Sequence, residues 1–194
     1  MQDFALALSA HVAEPTEANL AQVELQADRV LRHTLMAAQP PRAERVGMAR
    51  RLARWLLTTP RSPASLPSAV GWQADEGAFV DWARFRLLGG DEIPELSQAY
   101  GACRDALIAR RNKFAKPFAQ ALIEWNANKP SIDGRLVPVE SVLEHVVAPM
   151  AAAHPTLLLV MDGLSISIFR ELFARSASHG WAEMVPSDLG QPLV

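Results

Sequence analysis

The chain has a single cysteine, Cys103. That excludes an internal disulfide and any zinc cluster built from cysteines, and it fits a reducing compartment. Long hydrophobic runs are also missing. None approaches the ~18 residues that a membrane span needs. The first residues, MQDFALALSAH, carry Asp3 where a signal peptide would carry a basic region, so no secretory leader is predicted. Neither sign of charge dominates. Nineteen Lys and Arg stand against twenty-one Asp and Glu, a net charge of −2, and no global field points to nucleic acid or membrane. These absences together predict a cytoplasmic protein.

Several signatures of chemistry are lacking as well. There is no Gly-Lys-Ser or Gly-Lys-Thr phosphate loop, and the ten glycines are scattered. No Gly-x-Ser-x-Gly nucleophile elbow is present. His11, His33, His145, His154 and His179 form no His-x-x-x-His or His-Glu-x-x-His pair, and each reads as a surface or boundary residue. No internal repeat is visible.

What is there is mostly helical pattern. At 194 residues, with 49% hydrophobic and 21% charged residues, the chain can bury a sizeable core in one or two domains. Leu20, Val23, Ala27, Leu31 and Leu35 repeat at helical spacing after a start at Pro15-Thr16-Glu17, and Pro40-Pro41 is expected to end that helix. Arg42 to Leu57 predicts a second helix. Thr58 to Gly71, rich in proline, serine and threonine, reads as a loop. Asp75 to Leu88 predicts a third helix, closed by Gly89-Gly90.

The longest stripe runs through Leu96, Tyr100, Cys103, Leu107, Phe114, Phe118, Leu122 and Trp125, with a kink or break expected at Pro117. Cys103 on this stripe reads as a core residue. Arg104, Arg110, Arg111, Lys113 and Lys116 read as its solvated face, balancing Asp75, Glu76 and Asp81, rather than as a nucleic-acid site. The tryptophans at 55, 72, 82, 125 and 181 stand mostly at core spacing. Asn126 to Pro138 predicts a loop with a turn at Asp133-Gly134. Val139 to Met150 gives a short helix expected to end in Ala151-Ala152-Ala153.

The pattern changes at Pro155. Thr156 to Met161 is an apolar run that predicts a buried β-strand, and it leads directly into Asp162-Gly163. Ser165 or Ser167 can cap a helix carrying Ile166, Ile168, Phe169, Leu172 and Phe173, closed by Gly180. Trp181 to Val185 reads as a second, parallel strand. Two strands are too few for a stable parallel sheet, so an α/β domain is expected to start here without being complete. Asp162 has two readings. It is a metal ligand or acid–base group at a strand end, or it is a turn aspartate accepting hydrogen bonds from following amides. Leu164 stands where a dehalogenase-type phosphatase needs a second aspartate. Ser165 and Ser167 lie one residue too far along for an Asp-x-Ser-x-Ser adhesion site.

The run Leu157 to Leu164, ending in Asp-Gly-Leu, with Ser165 and then Arg170-Glu171-Leu172, resembles the PglZ domain of the alkaline phosphatase superfamily. Upstream, Val80-Asp81-Trp82-Ala83-Arg84, the Arg110-Arg111 helix with Phe114 and Phe118, and Leu136 to Pro149 resemble the helical region before that domain in PglZ proteins of type 2 BREX phage-defence systems. The resemblance covers about residues 75–187. The residue pattern gives a helical segment at 1–57 and a Pro/Ser-rich loop at 58–74, and with the resemblance a helical region at 75–153 and the first β-α-β of a phosphatase-like domain at 155–194. The resemblance also implies that Asp162 is a ligand of one of two divalent metal ions, usually zinc, and that a Thr, Ser or Cys nucleophile follows the second strand. Ser187 stands close to that position but early, and Asp188 is a weak ligand candidate. Neither the nucleophile nor the other ligands has a clear counterpart. The chain is therefore expected to be part of a longer PglZ protein and inactive alone, with other phage-defence proteins as partners. The alternative is a helical interaction module in which Asp162 is structural.

Overall fold

The computed structural model describes residues 1–59, 63–128 and 136–181. These are mostly helical, and none of them lies in a β-strand. No helix among them is long and apolar enough to cross a membrane. Residues divide into two compact units, Met1–Ser62 with Phe79–Pro117, and Pro63–Ala78 with Phe118–Val194.

In the first unit, α1 (Gln2–Ala13), α2 (Glu17–Leu31) and α3 (Pro40–Leu57) pack on one another. Thr16 caps α2 as expected, its hydroxyl accepting from the Asn19 amide at 3.2 Å. Pro40-Pro41 does not end that helix. It stops at Leu31, a 3₁₀ turn covers Thr34–Ala38, and the two prolines open α3. A first-turn proline gives up an N–H that has no helical partner anyway, and its fixed φ suits the helix. Phe4, Leu8, Val23, Ala27, Val46, Ala49 and Leu52 form the apolar interior, and burying them drives the packing.

His11 is a correction. It is fully buried rather than at the surface or boundary, and its Nε2–H donates to the Ala53 carbonyl at 2.8 Å, tying α1 to α3. That bond pairs one buried imidazole nitrogen in an otherwise apolar contact.

The expected loop at 58–71 is also corrected, because α4 (Leu66–Trp72) occupies its second half. Ser65 and Ser68 form a reciprocal capping box, and Pro67 falls in the first turn, where proline is tolerated. A π-helical turn, Gln73–Gly77, leads on to α5 (Ala78–Arg86), so the helix expected from Asp75 begins earlier.

The long helix α6 spans Pro94–Asn128 without a break at Pro117. The proline removes one hydrogen bond from a 35-residue helix, and the carbonyl it deprives belongs to exposed Lys113, which water can reach. The boundary between the two units nevertheless falls at Pro117. Of the predicted stripe, Leu96, Tyr100, Cys103 and Leu107 are buried, whereas Leu122 is exposed.

The basic side chains of α6 are partly engaged. Arg111 pairs with Asp81 at 3.0 Å. Arg110 lies 4.2 Å from the Trp55 ring centroid and donates to the Leu56 and Thr58 carbonyls at the end of α3. Asp75 is paired instead with Arg170, and Glu76 accepts from the Trp72 indole. Among the tryptophans Trp55 is buried, but Trp181 is exposed.

The second unit also holds a 3₁₀ turn, Val139–Ser141, a π-helical turn, Leu143–Val147, and α7 (Ala148–Ala153). The helix expected over 139–150 is therefore three short pieces, ending in the alanine run as predicted. α6 extends to Asn128, and the Asp133-Gly134 turn lies outside the described residues.

Candidate functional site

Residues 155–181 carry the site singled out in the sequence. After α7, Pro155 to Met161 runs without regular structure or helix, and Thr156 Oγ1 donates to the His154 carbonyl at 2.9 Å. The run does not form the expected strand. Among the described residues no backbone bond pairs Leu157 to Val160 with another segment. Leu157, Leu158, Leu159, Val160 and Met161 are all exposed, Leu157 by 83% and Val160 by 81%. A strand needs a ladder partner, and none of the described residues supplies one.

The turn that follows is well defined. The Leu164 amide donates to the Met161 carbonyl at 3.4 Å across Asp162 and Gly163. Gly163 has φ of 72°, the left-handed value that the third position of a type II turn requires and that glycine adopts without strain. Ser165 then caps α8 (Ile166–Ser176), its Oγ accepting from the Ile168 amide at 3.3 Å and lying 2.8 Å from the buried Ser167 Oγ. Both hydroxyls are thus engaged in holding the helix start. Gly180, with φ of 81°, closes the helical segment after a 3₁₀ turn at Ala177–His179.

Asp162 is exposed at the head of this turn. Its carboxylate makes no hydrogen bond or ion pair among the described residues, so the turn is held by backbone and glycine rather than by the aspartate. No group of three His, Cys, Asp or Glu able to hold a metal ion occurs among the described residues. Asp162 is therefore one accessible oxygen donor group, where a stably bound divalent cation needs several. Ser187 and Asp188, and all of the second predicted strand except Trp181, lie outside the described residues.

α8 presents Ile168, Phe169, Leu172 and Phe173 partly to solvent, with Phe169 and Phe173 stacked at 5.8 Å. The turn thus stands between two apolar surfaces, the extended run and this helix. Of the other histidines, His145 and His179 contact carbonyls of their own helical segments, Ser141 and Arg175, and among the described residues neither belongs to a group of three possible metal ligands. Comparison with protein-family models, with curated proteins and with solved structures finds no match to this chain.

Proposed function

We propose that residues 155–181 are the segment that becomes the opening strand–turn–helix of a phosphatase-like α/β domain of the PglZ kind once Leu157–Met161 gain a ladder partner from outside the described residues, and that Asp162 is a metal ligand of its hydrolytic site. One observation carries this reading. The Asp162 carboxylate is exposed and has no partner among the described residues, at the end of a five-residue apolar run and in a turn that does not use it. A fully buried parallel strand is continuously apolar, as Leu157–Met161 is, and open α/β folds place their chemistry at the carboxyl ends of such strands.

In that setting Asp162 contributes one hard oxygen donor to a divalent cation, zinc by the family resemblance. The metal's chemistry is to lower the pKa of a nucleophile and to stabilise phosphoryl oxygens. One carboxylate cannot hold a metal pair against its hydration, so the remaining ligands and the nucleophile come from outside the described residues. The fitting biological setting is phage defence, with other components of the defence system as partners.

Hydrolysis of bis-p-nitrophenyl phosphate and p-nitrophenyl phosphate in the presence of zinc tests this. The 194-residue chain is expected to show no turnover above buffer and no pronounced thermal stabilisation by zinc. Zinc-dependent turnover by this chain, or strong stabilisation, overturns the incomplete-site reading.

A second reading takes support from the exposed apolar surface of 157–161 and α8. On it the chain is a helical interaction module of a defence complex, and Asp162 belongs to the fold.

A further inference from the structure

The first unit contains a cavity of about 360 Å³ between α1, α2, the 3₁₀ turn and the start of α3. Its size lies within the range of small-ligand sites. The apolar part is Val30, Leu35 and Met36, while Phe4 borders the cavity without exposing surface to it. Such a surface takes a hydrocarbon or aryl body.

The polar groups at this cavity are not all equally free. Arg42 is committed, with its guanidinium bound to Asp91 and Gln39. Arg29 is not. Among the described residues it has no carboxylate partner and only a 3.5 Å contact with Gln26 Oε1. His33 is held in one tautomer. Its Nδ1 accepts from the Leu35 amide at 3.3 Å, so in the neutral ring the proton sits on Nε2, which has no partner among the described residues. The Arg29 guanidinium, a permanent cation with fork geometry, and the His33 Nε2–H therefore stand as unspent donors beside an apolar surface. A planar carboxylate is the group that such a fork binds in two-point fashion.

Asp3 also lines the cavity, and it opposes an anion. Its position in the first turn of α1 accounts for it, because the helix N-terminus favours a negative side chain there.

We infer that this cavity is a binding site for a small monocarboxylate with an apolar body, its carboxylate on Arg29 and His33 Nε2 and its body on Val30, Leu35 and Met36. None of its lining residues belongs to the turn at Asp162, and it does not depend on the phosphatase-like reading.

Calorimetric titration of the full chain with octanoate, 4-phenylbutyrate and octanamide tests it. Both acids bind and the amide, which has the same chain but no charge, does not. Arg29→Ala weakens octanoate binding by about tenfold or more, the loss of a charge-assisted hydrogen bond, while leaving the fold intact because Arg29 is exposed and makes no ion pair. Asp3→Asn tightens it by removing a like charge. Circular dichroism of each variant confirms an unchanged helical fold. Absence of octanoate binding, equal binding of octanamide, or an unchanged affinity in folded Arg29→Ala each overturns the inference.

Discussion

Arg42 holds Asp91 with both arms of its guanidinium, Nε to Oδ2 at 2.8 Å and Nη2 to Oδ1 at 2.7 Å, and the Asp91 side chain is 0% exposed. The Ile93 amide adds a bond to Oδ1 at 3.1 Å, and Arg45 lies 3.7 Å away. This joins the first turn of α3 to the segment between α5 and α6. Burial alone pushes the Asp91 carboxyl up. The Arg42 hydrogen bonds, the Ile93 amide and the charges of Arg42 and Arg45 outweigh burial and hold it below its ordinary value.

The consequence for pH has a definite sign. A carboxylate with a lowered native pKa stabilises the fold above its unfolded pKa, about 3.9, and loses that contribution as pH falls toward the native value. Stability measured by urea unfolding should therefore drop below about pH 4. Asp91→Asn should flatten that acid slope. Arg42→Ala at pH 7 should cost about 3 kcal/mol, because it strands a buried charge. A cost near zero in the same unfolding curves would mean that water reaches Asp91.

Tyr100 and Cys103 share the buried stripe of α6. The Tyr100 hydroxyl is buried with no hydrogen-bond partner among the described residues. A lone buried hydroxyl is destabilising, so Tyr100→Phe should raise stability by up to about 1 kcal/mol in chemical denaturation. A loss of that size would reveal a partner for the hydroxyl.

Burial pushes the Cys103 thiol up to about 12. The thiolate is the reactive species, so Cys103 should resist a disulfide reagent at pH 8 and react only as the unit unfolds. Labelling rates followed against urea concentration check this, with rapid native-state labelling as the contrary outcome.

Arg110 both stacks on Trp55 and satisfies carbonyls at the end of α3. Lysine keeps the charge but lacks the planar fork that does both. Arg110→Lys should cost about 1–2 kcal/mol in the same denaturation experiment. An unchanged midpoint would show that charge alone suffices.

Much of the helical pattern was legible because it is local. Thr16 marks a helix start by chemistry confined to four residues, and Leu96 to Leu107 repeat on one face. The prolines give an ambiguous signal because proline both stops and starts helices. Pro40, Pro41 and Pro67 sit in first turns, and only Ser65 and Ser68 give a nearby clue. The role of His11 is invisible locally because its partner is the Ala53 carbonyl, 42 residues away. At the candidate site the turn at Asp162-Gly163 and the Ser165 cap were readable for the same local reason. Strand pairing is not local, and nothing in Leu157 to Met161 itself names a neighbour. Arg29 and His33 gave no signal, since a cavity is made by segments that meet only in the fold.

Whether Asp162 is kept for chemistry or for the fold can be read from hydrogen exchange in α8. Amides of Phe169 to Phe173 report on the stability of the turn and cap that precede them. Asp162→Ala should leave their protection unchanged, because the carboxylate bonds to nothing in the turn. Ser165→Ala, measured alongside, should speed their exchange about fivefold through loss of the cap. If Asp162→Ala speeds exchange as much as Ser165→Ala does, the aspartate is a structural turn residue and its assignment as a metal ligand fails.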